Sequence, residues 1–195
     1  MNEARRRIAA RHYAESRAFD ERQTDRLERF RNLEPESAEL LAVIARAAAA
    51  TRLLELGTSN GYSTLWLADA AEANGGRLVS VDTDPVRSEL ARRVVDEANL
   101  EEVVELRVGD AATTLARSHD AAWDLIFLDA ERPAYAGYLD DLVRTLARGG
   151  LLVIDNVLSH ERELVEFTAA IGDCADLTQA VVAVGAGLRL AVRAR

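Results

Sequence analysis

Two groups of residues in this chain have the types and spacing that chemistry needs. The first is the stretch LLELGTSNGYS, residues 53–63, in which an apolar run breaks at Gly57, turns through Thr58, Ser59 and Asn60 to Gly61, and re-enters helical sequence at Tyr62. Glycine takes positive φ at little steric cost and lets backbone approach a ligand, and a helix start offers unpaired N–H groups beside it. That pattern suits a nucleotide-cofactor loop. A dinucleotide site would read G-x-G-x-x-G and seat a pyrophosphate on the helix N-terminus. Here only Gly57 and Gly61 are present, Ser59 stands between them, and Glu55 lies at the strand end. A carboxylate there repels a pyrophosphate and attracts a cation. The ammonium group at the amino-acid end of S-adenosylmethionine is such a cation.

The second group is a series of acids at the ends of apolar runs: Asp82, Asp110, Asp129, and Asp155 with Asn156 beside it. An acid at the end of the second strand commonly takes the ribose hydroxyls of a cofactor, which is the expectation for Asp82. Asp110 has two readings, cofactor contact or cap of the following helix. If the strands ending at Asp129 and Asp155 are neighbours, their ends lie about 4.8 Å apart. Two unpaired carboxylates that close are costly, and a hard divalent cation with oxygen ligands relieves the repulsion. Magnesium, manganese and calcium fit such a ligand set. Successive strand residues face opposite ways, so Asp155 and Asn156 can act together only if the chain leaves the sheet there.

The elements that must position these residues follow from the alternation of apolar runs and helical stretches. Strands are expected at 52–56, 78–82, 103–108, 125–129 and 151–155, each followed by a helix, an order that implies a parallel sheet covered on both faces. Residues 177–184 and 188–192, joined by Gly185-Ala186-Gly187, read as a terminal antiparallel hairpin. The expectation is a doubly wound α/β domain with a mostly parallel, seven-stranded sheet, spanning residues 1–195. Ligands of such sheets sit beyond the carboxyl ends of the strands, where all the acids fall. A helix should start near Pro35, since proline favours the first helical position. Residues 1–34 read as a polar, arginine-rich helical extension lying against the domain or a partner subunit.

Composition narrows the functional classes. The net charge of −9 disfavours nucleic acid, whose binding rests on phosphate neutralisation. An [Asn/Asp]-Pro-Pro-aromatic motif for base methylation is also missing, and Asp84-Pro85 does not supply it. No apolar run approaches the roughly 18 to 20 residues of a membrane span, and the N-terminal residues lack a signal-like apolar core. A cytoplasmic protein with a small-molecule acceptor is expected. All 24 basic residues are arginine, so no lysine base or Schiff base is available. Cys174 is alone, which excludes an internal disulfide.

From about Pro35 to Phe167 the chain resembles the cation-dependent class I S-adenosylmethionine O-methyltransferases of the catechol and caffeoyl-coenzyme A type. The matching pieces are LLELGTSNGYS at 53–63, SVDTDP at 80–85, VGDA at 108–111, DLIFLDAER at 124–132 and VIDNV at 153–157. The resemblance implies that Glu55, Gly57, Ser59, Gly61 and Ser63 line the methionine part of the cofactor, that Asp82 holds the ribose and that Gly109, Asp110 and Ala111 lie by the adenine. It makes Asp129, Asp155 and Asn156 ligands of a divalent cation, with Asp129 also beside the cofactor. It further implies a Rossmann-like fold, a homodimer and in-line transfer of the sulfonium methyl to a hydroxyl of a catechol-like acceptor, acidified by the cation. Where these families place a lysine near the cation, this chain has Arg132, which can stabilise a phenolate but accepts a proton poorly. His160 is the histidine near the expected site, either a base or a surface or helix-start residue. Trp66, Tyr62 and Phe127 are expected in the core or on the cofactor side, and Tyr135 and Tyr138 are open between core and acceptor pocket. Two other readings stand beside this one: methyl transfer without a cation, and a non-catalytic cofactor binder acting through its N-terminal helices.

Overall fold

The computed structural model describes residues 1–195. Its sheet is built from β1 (Arg52–Leu56), β2 (Arg77–Asp82), β3 (Val104–Val108), β4 (Trp123–Leu128), β5 (Leu146–Ile154), β6 (Leu177–Val182) and β7 (Leu188–Arg193). The spatial order is β3-β2-β1-β4-β5-β7-β6. β1 to β5 run parallel, and β7 is antiparallel to both β5 and β6. The expected doubly wound α/β sheet and terminal hairpin are both present. The hairpin's second strand pairs with β5, which leaves β6 on the edge.

Side-chain alternation explains why both faces are covered. Leu53, Leu125, Phe127 and Val153 face one layer, while Leu54, Ile126, Leu128 and Ile154 face the other. Helices α1 (Glu3–Asp20), α2 (Pro35–Ala47), α3 (Tyr62–Ala73) and α4 (Pro85–Glu97) contribute to the first layer; α5 (Ala111–Arg117), α6 (Tyr135–Thr145) and α7 (Val165–Gly172) contribute to the second. α2 begins at Pro35, as proline at a helix start requires. No helix is long and apolar enough to cross a membrane.

Several boundaries differ from the sequence expectation. β5 starts at Leu146 rather than Leu151, because Gly149 at φ 76° carries the chain through a register irregularity against β4 that reads in sequence as a turn. Asp129 and Asp155 lie just beyond β4 and β5 rather than closing them. β6 ends at Val182, two residues before the expected end.

The N-terminal extension packs on the domain rather than projecting from it. Arg5 is buried, donating to Ala98 O (3.0 Å), Asp69 Oδ1 (3.0 Å) and Glu72 Oε1 (3.0 Å), which ties α1 to α3 and the end of α4. His12 Nε2 lies 3.0 Å from Asn60 O, and Asn60 Nδ2 donates to Ser16 Oγ at 2.7 Å. Residues 21–34 then form a strap. The Asp20 carboxylate accepts from Phe30 N (2.7 Å) and Arg31 N (3.0 Å), Phe30 stacks on Phe19, and Arg87 donates to Leu27 O and Arg29 O.

Candidate active site

The cofactor loop takes its shape from contacts between strand ends. Gly57 sits at φ 107°, and a Cβ there would stand 2.0 Å from Asp129 O, so only glycine lets β1 and β4 end side by side. Gly57 N and Thr58 N donate to Val81 O, which binds the loop to β2. Ser59 N donates to Asp82 Oδ2 (2.7 Å) and Asp84 N to Asp82 Oδ1 (2.9 Å). Each carboxylate oxygen keeps acceptor capacity for a ligand hydroxyl.

This rim is open to a cavity of about 800 Å³ whose wall includes Gly57, Ser59, Ser63, Asp82, Gly109 and Ala111. Ligand pockets of roughly 300 to 1,000 Å³ hold drug-sized molecules. Asp110 lines the cavity, and its Oδ1 caps α5 by accepting from Thr113 N at 2.8 Å.

Two expected cofactor contacts need correction. Glu55 has no exposed surface and stands behind the wall, where its oxygens accept from Ser63 Oγ (2.6 Å), Thr64 Oγ1 (2.5 Å) and Ser80 Oγ (2.5 Å). Burial pushes its carboxyl up to about 7 against the pull of those three hydroxyls. It reaches the cavity only through Ser63. Gly61 is buried too, and serves packing: at φ 92° it caps α3, and a Cβ would lie 2.8 Å from Ala91 Cα of α4.

Across the cavity the acid pair forms as the neighbouring strands predict. Asp155 N donates to Leu128 O, and Asn156 takes φ 65°, the turn out of the sheet needed to bring it beside Asp155. Asn156 Nδ2 donates to Asp129 Oδ1 (3.1 Å) and Asp155 Oδ2 (2.8 Å). Asp155 Oδ1 is buried with no partner. Desolvation raises both carboxyls; Arg132 and Arg31 oppose it at Asp129, while the Asp129 charge adds to it at Asp155. A buried carboxylate oxygen without a donor, beside a second raised carboxyl, is an environment that a hard cation satisfies. The oxygen donors therefore fit such an ion, provided the Asn156 amide turns to present its oxygen.

Arg132 and His160 also line the cavity. Arg132 is buried and its Nε donates to Glu163 Oε2 at 2.7 Å, which fixes a cation near Asp129. His160 precedes a short 3-10 turn, its Nδ1 is 2.7 Å from Ser159 Oγ, and burial followed by the Arg132 charge lowers its pKa. It is thus both a helix-start residue and a cavity residue. Tyr138 is on the wall, whereas Tyr135 is core, its hydroxyl donating to Ala130 O and accepting from Ala130 N. Tyr62, Trp66 and Phe127 are core. The strap supplies wall residues that sequence reasoning missed, among them Arg31, Asn32 and Glu34. Their irregular, polar sequence carries no periodic signal.

The seven-stranded sheet thus sets a glycine loop and an acid pair at one strand-end cavity, the position where doubly wound α/β domains bind ligands. A model of the O-methyltransferase family matches residues 16–193, and the chain belongs to that family. It is 35% identical over 138 residues to a catechol O-methyltransferase of Niastella koreensis, a match covering 69% of this chain and 62% of that protein. It is 36% identical over 123 residues to a catechol O-methyltransferase of Mycobacterium tuberculosis, covering 63% and 56% respectively. The chain thus matches less than two thirds of the length of these relatives. Among solved structures, the O-methyltransferase TomG from Streptomyces achromogenes, in complex with SAM, superposes with a TM-score of 0.80 at 28% identity, covering 100% of this chain and 91% of that one.

Proposed function

We propose that this protein is an S-adenosylmethionine-dependent O-methyltransferase acting on a catechol-like small molecule, with a divalent cation held by Asp129, Asp155 and Asn156. The observation that carries the reading is that the cofactor rim and the acid pair face one cavity, joined where Gly57 meets the backbone of Asp129. Ser63, backed by Glu55, suits the cofactor's ammonium, and Asp82 its ribose. Asp129, Asp155 and Asn156 would hold the cation, which would supply the Lewis-acid chemistry that lowers the pKa of the acceptor hydroxyl.

In the reaction the acceptor oxygen forms a bond to the methyl carbon as the carbon–sulfur bond breaks. The sulfonium becomes a neutral thioether, and the hydroxyl proton leaves. Arg132, held by Glu163, stabilises negative charge on the oxygen. His160, its pKa lowered, is the neutral imidazole on the wall that can take the proton. The cavity walls would hold both reactants in line, an orientation effect worth roughly 7 to 11 kcal/mol in favourable cases.

The deciding experiment is a methyl-transfer assay on catechol, with and without EDTA, comparing wild type with Asp155→Ala. Loss of activity in both the chelated enzyme and the variant is expected. Chelator-insensitive activity, unchanged in the variant, would sink the cation. One observation favours that second reading: the Asn156 amide already bridges the two acids by donating to both. A homodimer, testable by sedimentation, completes the proposal.

A further inference from the structure

Among the guanidinium groups on the cavity wall, that of Arg31 has the poorest protein partners for its degree of burial. Arg132 is held by Glu163, Arg87 by two backbone carbonyls and the Phe30 ring, and Arg29 by Gln23 O. Arg17 is solvent-exposed. Arg31 reaches only the exposed Glu131, at 3.5 Å, well beyond the roughly 2.7 to 2.9 Å of a strong charge-assisted bond. Its Nε is buried with no acceptor, and so is Nδ2 of the adjacent Asn32, which shares the same wall. Buried donors left unpaired cost roughly 1 to 3 kcal/mol each.

The backbone holds Arg31 in this position against its own preference. Its φ of 54° lies in the left-handed region that side-chain-bearing residues seldom adopt. The Asp20 carboxylate, gripping both Phe30 N and Arg31 N, and Ser59 Oγ, donating to Phe30 O, enforce it. Arg31 stands at the acid-pair end of the cavity: its partner Glu131 lies in the loop after Asp129, and its charge acts on Asp129.

We propose that Arg31, assisted by Asn32, binds a carboxylate carried by the methyl acceptor, so that the preferred substrate is an ortho-dihydroxy carboxylic acid rather than a neutral catechol. A guanidinium fork meets a carboxylate with two parallel N–H bonds, and the Asn32 amide adds a third donor. The proposal rests on the O-methyltransferase reading above. The methionine carboxylate of the cofactor is the other source of the same chemistry, and the test separates the two.

Kinetics are measured in magnesium-containing buffer with 3,4-dihydroxybenzoate and with catechol, on wild type, Arg31→Asn and Arg31→Lys. Asparagine tolerates the left-handed φ, and lysine keeps the charge but loses the fork and reads alone should the asparagine variant not fold. In the wild type, KM should be lower for the carboxylated acceptor. Arg31→Asn should raise that KM roughly tenfold or more, change catechol kinetics far less, leave the Kd for S-adenosylmethionine unchanged, and be partly rescued by lysine. Equal KM values in the wild type, equal losses on both acceptors, or a weaker cofactor Kd with the acceptor preference intact would overturn the proposal. Should neither acceptor turn over, calorimetric titration of both into the S-adenosylhomocysteine complex decides. A carboxylate preference lost in Arg31→Asn then upholds this site while the methyl-transfer reading falls, and no preference overturns it.

Discussion

Asp124 and Asp129 sit near the start and just past the end of the same strand, and they have opposite surroundings. Asp124 accepts from Thr51 N (3.0 Å), Thr51 Oγ1 (2.8 Å), Arg52 N (2.9 Å) and the Arg52 guanidinium (2.5 Å). Burial works against its ionisation, but the Arg52 guanidinium and the Thr51 donors outweigh it and bring the carboxyl down to about 2. Asp129 has one hydrogen-bond donor, Asn156, which it shares with Asp155, and burial pushes it up to about 6. One acid is fully provided for by its own chain. The other is held in a form that a ligand would complete, and such contrasts separate structural acids from functional ones.

The largest test of that contrast is Asp155→Asn. Activity should fall by roughly a hundredfold or more, the scale of several kcal/mol of lost cation and transition-state stabilisation. The ligand-free variant should nevertheless melt higher than wild type, because a desolvated charge is removed. Activity retained, or a lower melting temperature, would break the comparison.

The pH dependence sharpens it further. The raised pair binds protons more readily folded than unfolded, so its contribution to stability grows as pH falls through about 6. His12 and His160, with lowered pKa values, act in the opposite direction, and Glu55 adds to the pair's effect. The useful quantity is therefore the wild-type melting temperature minus that of Asp155→Asn, between pH 7 and 5. It should become less negative on acidification, and magnesium should abolish the trend.

Asp124→Asn should do the reverse of Asp155→Asn: a loss of about 1 to 2 kcal/mol in stability at neutral pH, solvent screening included, with activity per folded molecule unchanged. Asp124 has a depressed pKa, so its contribution is complete above about 4 and lost as pH falls through about 2. Equilibrium urea unfolding at pH 7 and pH 3 checks both statements. The smallest effect belongs to Ser63→Ala. It removes one of three hydroxyls on Glu55 and should weaken S-adenosylmethionine binding about fivefold, near 1 kcal/mol, measured by calorimetry.

The sequence was most legible where structure is local. The strand-turn-helix at 53–63, the proline start of α2, and the acids at the ends of β2, β4 and β5 follow from side-chain type and periodicity, and the structure brings those acids to one rim. Even the turn at Asn156 was readable, because adjacent strand residues cannot otherwise act together. Less legible was direction within the loop: Glu55 points into a nest of hydroxyls, one of which, Ser80, comes from β2. The β5 start was hidden by Arg148-Gly149-Gly150, a turn signal that pairing with β4 overrides.

By itself, then, the sequence determined the sheet, the cofactor loop and the candidate ligand acids, since each depends on interactions within a few residues or on strand alternation. Only the tertiary structure decided that Asp20 fixes Phe30 and Arg31, that the strap closes over the strand ends, and that Arg31 arrives beside Asp129 with a donor to spare. Those contacts run from an irregular polar segment to α1 and to distant strand ends, and no local period or spacing encodes them.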